Sequence, residues 1–391
     1  MRVFSIIIFV VFFTTIIGCK KPYTPDAVTT NNNYLVVEGV INIGADSTEI
    51  KLSRTVNISS VVTTNPEPGA TIAVESDQNT IYPLTEIKKG LYAIAGLNLD
   101  ITRKYRLRIK TSNSQEYLSD LVAAQATPPI DSIGFNIVNT GVQIYLNTHD
   151  PQNSTHYYRW DYAETWQFHA KYQSDYISNG KEIVVRPSDQ DIYSCFGNDV
   201  SSTILLGSSA KLSQDVIAQS PIASIAPTEE KIEQKYSILV RQYALSSDAY
   251  NFWINLKKNT EQLGSIFDAQ PSNINGNIHN VANATEPVIG YISACSVQSK
   301  RIFISKAQLP AILSWLTKYP YDCEADSLFY YNVNSHQNQV AQSLIPLPAS
   351  YLPIQAFVVG MDVSPSGYLA SSPECVDCTI RGTKIQPAFW K

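Results

Sequence analysis

The stretch Lys104-Tyr105-Arg106-Leu107-Arg108-Ile109-Lys110 alternates charged and apolar side chains at a period of two. Successive side chains of a strand point to opposite faces, so this is a strand with one dry and one wet face. The same alternation places Ile50, Leu52, Val56 and Ile58 against Glu49, Lys51, Ser53, Thr55 and Asn57. Further short apolar runs fall at 35–43, 71–74, 91–94 and 117–122, separated by turn signals such as Pro66-Glu67-Pro68-Gly69 and Lys89-Gly90. Short strands spaced by turns predict an immunoglobulin-like β-sandwich over residues 34–127.

Pro128-Pro129 interrupts any strand, because proline lacks the amide donor and restricts the residue before it, and a domain boundary is placed there. Residues 128–391 read as a second, mainly β domain. Val142, Ile144 and Leu146 form one strand. Tyr158, Trp160 and Tyr162 lead another into Glu164-Thr165-Trp166, and 183–185 and 236–240 give more. This tandem arrangement resembles a fibronectin type III sandwich following the first, with the polar stretch 188–230 read as loops and short strands. A helical insert is predicted near 247–263. Tyr250, Trp253, Ile254, Leu256 and Leu263 share one stripe, Ser246 or Ser247 can cap it, Asp248 suits its positive end, and Gly264 stops it. A second helix is predicted over 309–319.

The chain opens with Arg2, an apolar run from Val3 to Ile17, and Ile16-Ile17-Gly18-Cys19. Charged, apolar and small-residue regions in that order read as a lipoprotein signal over 1–18, with lipidation of Cys19, acyl chains such as palmitate, and anchorage in a bilayer. The run is short for the ~20 residues of a membrane span. Residues 19–33, rich in Pro, Thr and Asn, read as a flexible tether.

The chain as a whole has an ordinary globular composition, with 44% hydrophobic and 16% charged residues. Loss of Arg2 moves the formal charge from −5 to −6. That mild acidity, without clustered Lys and Arg, argues against nucleic acid. With Cys19 acylated, Cys195, Cys295, Cys323, Cys375 and Cys378 remain, an odd set that allows two bridges and one thiol. The Cys375-x-x-Cys378 pair lacks the βαβ context of a redox motif and the second pair of a zinc site, so a structural role is assigned, with Cys323 as partner of one of the two.

Catalytic signatures are sparse. His149, His156, His169, His279 and His336 form no HExxH motif and no helical pair, and no metal site or cofactor is assigned. A metal-dependent enzyme built on the 149–169 region, with Asp150 and Glu164 nearby, is the minority alternative. No GxSxG elbow, phosphate-binding glycine loop or EF-hand spacing occurs; Asp189, Asp191 and Asp199 read as a hydrophilic loop. No catalytic residue is therefore named. The densest aromatic cluster is Tyr157, Tyr158, Trp160, Tyr162, Trp166 and Phe168. Alternation sends Tyr158, Trp160 and Tyr162 to the core and Tyr157, Arg159 and Asp161 outward; Tyr157, Arg159 and Trp166 are the candidate ligand or partner surface.

Arg241-Gln242-Tyr243-Ala244-Leu245-Ser246 running into Ala249-Tyr250-Asn251-Phe252-Trp253, then Gly264-Ser265-Ile266-Phe267-Asp268-Ala269-Gln270-Pro271-Ser272 with Gly276-Asn277-Ile278, carry a family resemblance. Val288-Ile289-Gly290-Tyr291 before Lys300-Arg301-Ile302-Phe303-Ile304, and Cys375-Val376-Asp377-Cys378 before Pro387-Ala388-Phe389-Trp390, add to it. With these stretches the mature chain resembles the domain of unknown function DUF4249 family, lipoproteins of the Bacteroidota envelope. The resemblance implies a transthyretin-like first domain, a second β domain with a helical insert, and association with TonB-dependent outer-membrane transporters; it carries over no catalytic residue. Lys20-Lys21-Pro22-Tyr23 lacks the acidic residues that often follow the lipidated cysteine in surface-exported relatives, and either leaflet face stays open. The expectation is a non-enzymatic outer-membrane lipoprotein that binds a small-molecule or peptide ligand, or docks on such a transporter, in nutrient uptake. The alternative is a structural or assembly factor of the envelope.

Overall fold

The computed structural model describes residues 33–56, 64–261, 276–311, 315–319, 321–361 and 363–391. Cys19 and the tether up to residue 32, as well as Ile58, Leu263 and Gly264, lie outside them. Among the described residues no helix is long and apolar enough to cross a membrane.

The fold is mainly β, as the alternation predicts. The first module contains β1 (Leu35–Asn42), β2 (Thr48–Arg54), β3 (Thr71–Ser76), β4 (Ile81–Lys88), β5 (Leu91–Ile94), β6 (Lys104–Lys110), β7 (Glu116–Ser119) and β8 (Val122–Gln125). Tyr105, Leu107 and Ile109 of β6 are buried with Ile50, Leu52, Ile72 and Tyr92. The interleaved charges stay outside, where Arg106 and Arg108 both reach Glu75 of β3. Val56, by contrast, lies past the end of β2 and is exposed.

The sandwich follows with β9 (Ile130–Val138), β10 (Gly141–His149), β11 (Tyr157–His169), β12 (Tyr176–Ser178), β13 (Ile183–Val185), β14 (Ser194–Val200), β15 (Leu205–Ser208), β16 (Val216–Ile225) and β17 (Lys235–Ala244). Helix α1 (Ser247–Glu261), β18 (Ile278–Asn280), β19 (Ala294–Cys295) and β20 (Val297–Ser305) complete the central part. The sheet β16-β10-β9 packs on the sheet β14-β11-β17-β20, to which β15 adds through β11. Val142, Ile144 and Leu146 from one sheet meet Tyr158, Trp160, Tyr236, Ile238 and Val240 from the other.

The division at Pro128-Pro129 does not separate two continuous units, because residues 278–295 return to the first module. There β19 pairs parallel with both β1 and β8, and β8 also pairs with β6, so the strand path closes into a ring. Backbone bonds from Val37 N to Ile289 O (2.8 Å) and Ile41 N to Ser293 O (2.9 Å) extend the seam. Buried Asn277 fixes the returning segment through Ile292, donating to its carbonyl and accepting from its amide. Gly276 and Gly290 cross so closely that a Cβ on Gly276 would sit 1.8 Å from the Gly290 carbonyl oxygen, and Gly290 has φ +149°. Only glycine fits such an approach.

A third, smaller core lies near the carboxyl end. Strands β21 (Asp326–Phe329), β22 (Leu352–Phe357) and β23 (Gly367–Ser371), with helix α2 (Gln339–Ser343), enclose Leu328, Val340, Leu344 and Tyr368, and Ile183 of the β12–β13 hairpin joins them. Helix α3 (Pro373–Val376) carries Cys375, which bridges to Cys323, while Cys378 bridges to Cys195 of β14. The two cysteines of the Cys-x-x-Cys pair thus serve separate bridges. Cys295 is a buried free thiol, its pKa pushed up to about 11 by burial.

The helix predicted at 309–319 is absent from its described part. Trp315–Tyr319 has no regular structure; Trp315 is buried and its indole N–H donates to the Pro310 carbonyl, a contact that holds the segment in a non-helical path. In α1, Ser246 caps the Ala249 amide (3.2 Å), and Ala249 and Phe252 are its fully buried residues.

Gln242 ties the sandwich together. Its side-chain oxygen accepts from Trp160 Nε1 (2.8 Å), and its nitrogen donates to Pro128 O (2.8 Å) and Thr148 Oγ1 (2.9 Å). Each group is buried, so losing the amide strands the Trp160 N–H and the Pro128 carbonyl. Gln242→Leu is expected to lower unfolding free energy by about 2–4 kcal/mol, read by urea denaturation monitored through tryptophan fluorescence.

Candidate functional site

Strand alternation gives β11 and β17 two different faces. Gln242, Val240 and Ile238 point into the sandwich core, whereas Leu239, Arg241 and Tyr243 line a cleft on the opposite face. Arg159 and Asp161 project into the same cleft from β11. Its far wall is the first module, contributing Glu38 and Val40 of β1, Glu49 and Lys51 of β2 and Asp46 between them; Trp253 of α1 and residues 200–204 close the ends. The cavity holds ≈ 840 Å³, within the roughly 300–1,000 Å³ range of small-ligand sites.

A compact charge and ring cluster forms its floor. The Arg159 guanidinium lies against two rings, 4.3 Å from the centroid of Tyr243 and 4.6 Å from that of Trp253. Cation–π attraction to both rings and the Asp161 carboxylate 3.8 Å away hold it in place. Asp161 accepts from Arg241 Nε (2.5 Å) and from the Tyr243 hydroxyl (2.9 Å). Burial first, and then the Asp161 charge, push the Tyr243 hydroxyl pKa up, so it stays protonated across the physiological range. Burial, the largest single influence, would lower the Arg241 guanidinium, but Asp161 together with Tyr243 and Glu49 outweighs it and raises the pKa. Behind this floor, Tyr243, Ala244, Cys295, Val40 and Val297 form a small apolar contact between the modules.

The structure divides the candidate surface Tyr157, Arg159 and Trp166. Arg159 reaches the cleft. Tyr157 is half-buried beside α1, its ring 4.8 Å from that of Tyr250. Trp166 is not a surface residue. An even step along β11 sets it on the core face with Tyr158 and Trp160, only 9% exposed, with its Nε1 donating to Glu230. Gly197 of β14 makes room for the indole, since a Cβ there would lie 2.4 Å from the ring. Arg241, Tyr243 and Trp253 lie in stretches that carry the family resemblance, and the alternation around Gln242 is the sequence signal that puts Arg241 and Tyr243 on the cleft face.

The histidines go to different partners. His149 pairs with Asp131 (2.7 Å), His156 lies 3.5 Å from Ser209, His169 stacks on Tyr193 and approaches Glu233, and His279 approaches Asp120. Among the described residues no group of three or more His, Cys, Asp or Glu side chains is placed to hold a metal ion. Asp215 is buried against Tyr158 and Ser209, and Asp150 binds the amides of Gln152, Ser154 and Thr155. These carboxylates organise the 150–155 and 209–215 loops.

Two β modules joined by a late return of the chain, with a polar-aromatic cleft between them, define a modular β protein with the geometry of a binding site. The chain belongs to the family described as Domain of unknown function (DUF4249), whose sequence model matches residues 20–301. That match covers the first module and most of the sandwich, cleft included, and ends within β20. No curated protein matches the chain. Similar solved structures include the chicken interferon gamma receptor alpha chain, at 9% identity over 53% of this chain and 87% of that one, TM-score 0.17. Another is the adhesin InvE of Yersinia pseudotuberculosis, at 14% identity over 55% and 56%, TM-score 0.14. At these scores neither likeness carries an argument.

The His149–Asp131 pair sets a pH dependence. The hydrogen bond and charge of Asp131 raise the His149 pKa, so the pair's stabilisation is complete below the unfolded-state pKa of about 6.5 and is lost as pH rises through the folded value. An NMR titration should place the His149 midpoint above the ordinary histidine value, and Asp131→Asn should bring it down; an unchanged midpoint would remove the assigned cause.

Proposed function

We propose that this chain is a non-enzymatic lipoprotein of the bacterial outer membrane, anchored through Cys19, that captures a ligand in the cleft between its modules and assists uptake by a TonB-dependent transporter. The observation that carries this reading is the cleft itself. It is large, lined by oriented charged groups and aromatic rings, and its floor and far wall are built mainly on strands of two packed modules. Preorganised polar groups in a recess favour binding because little ordering cost is left at the moment of capture. The Ile16-Ile17-Gly18-Cys19 pattern supports the anchor and the family resemblance supports the transporter.

A second reading, an assembly factor of the envelope acting through surface contact, draws on the third module. The turns 330–338 and 358–366 lie at one end of the β21-β23-β22 sheet, where Phe329, Phe357 and Gly367 adjoin. They expose Tyr331, Val333, Val359, Met361 and Val363, and Asp362 is the one Lys, Arg, Asp or Glu in their sequence. An apolar tip of this kind marks a contact surface.

Cys19→Ser is expected to abolish lipid labelling and membrane partition; retention of both would remove the anchor from the account. Affinity isolation from detergent-solubilised membranes should recover a TonB-dependent transporter with the wild-type chain, and repeated isolation without one would count against the uptake role. Deletion separates the two readings: one nutrient defect follows from uptake, broad loss of outer-membrane proteins from assembly.

A further inference from the structure

The two walls of the cleft carry opposite charge. On β17, Arg241 spends its Nε on Asp161, and among the described residues its terminal nitrogens have no protein acceptor. The side chain is 40% exposed, so the two free ends of the fork are open to the cavity. Asp161 fixes the plane of that fork, since the carboxylate is itself held by the Tyr243 hydroxyl. A planar guanidinium with both outer donors free matches a carboxylate in bidentate geometry.

The facing wall is acidic. Glu38, Asp46 and Glu49 stand there against the single ammonium of Lys51, which already pairs with Glu38 at 3.0 Å. The Asp46 and Glu49 carboxylates make no hydrogen bond or ion pair with a described residue, and both residues are exposed. Glu49 is close enough to contribute to raising the Arg241 pKa, which places its charge across the cleft from the fork. Arg159 is the less available of the two guanidiniums, because its side chain is more buried than that of Arg241 and its Nη2 already lies 3.8 Å from the Asp161 carboxylate.

A ligand that satisfies both walls bears an anion at one end and a cation at the other, with a backbone between them able to hydrogen-bond. Resting on the ligand-capture reading above, we propose that the cleft binds short peptides with free termini, the terminal carboxylate on Arg241 and the terminal ammonium on the Asp46 and Glu49 side. The cavity of ≈ 840 Å³ has room for several residues, more than a single amino acid needs.

Native mass spectrometry and isothermal calorimetry on the full chain, with a pool of tetrapeptides bearing free termini, test this directly. The pool should bind. The same pool amidated at the carboxyl end, or acetylated at the amino end, should bind at least tenfold more weakly, and this comparison needs no variant. Arg241→Gln should abolish the difference between free and amidated pools, and Glu49→Gln with Asp46→Asn should reduce the difference between free and acetylated pools. Equal binding of free and blocked pools overturns the proposal. Binding of the neutral saccharide maltotetraose that is lost in Trp253→Ala but unchanged in Arg241→Gln, with no peptide bound, overturns the peptide assignment while leaving ligand capture standing. Binding of neither at millimolar concentration overturns both.

Discussion

Three hydrogen bonds of one buried amide hold the modules in register. Gln242 reaches Trp160 on the neighbouring strand, Thr148 on the opposing sheet and Pro128 at the junction with the first module. Oil-like packing between two sheets is tolerant of sliding, because apolar contact is non-directional. A fully satisfied amide at the centre is not tolerant, since any shift leaves buried donors and acceptors unpaired. The position of Pro128 is thereby fixed relative to the sandwich, and the first module with it. Thr127 adds to the same junction, accepting from Ala244 N and bonding to Ser296.

Because neighbouring residues on a strand face opposite ways, fixing Gln242 also fixes Arg241 and Tyr243 on the outer face. The core lock and the cleft floor are consecutive residues of one strand. Arg159 and Trp160 repeat this relation on β11: the tryptophan donates into the core, and the arginine beside it enters the cleft. Helix α1 supplies the last ring, Trp253, on a segment whose first turn is anchored by Ser246. The cleft therefore draws its rigidity from the sandwich as well as from the Asp161, Tyr243 and Arg159 contacts of its floor.

Much of this was legible from residue order. The alternation at 104–110 and 157–162 and the Ser246 cap have local signatures, while the bridge from Cys323 to one of the Cys375/Cys378 pair follows from cysteine arithmetic and not from spacing. The rest had none. Strands β18 and β19 span three and two residues, too few for any period to appear, and their pairing with β7, β1 and β8 joins segments far apart in sequence. The partner of Cys378 lies 183 residues away, and no spacing rule reaches that far. Trp166 is a candidate surface residue in the sequence, yet counting by twos from Trp160 puts it inside, where the structure has it. The opposed charges of the cleft belong to separate modules, so sequence alone could not bring them together.

The returning segment has a consequence for how the molecule is made and inherited. The opening ring lacks its closing strand until Cys295 has been synthesised, and until then β1 and β8 each present an unpaired edge. Its completion waits on a portion of chain that comes after nearly the whole central sandwich. The two halves are thus interlocked like clasped hands, and recombination at the Pro128-Pro129 hinge would deliver an open-edged fragment, not a transferable cassette.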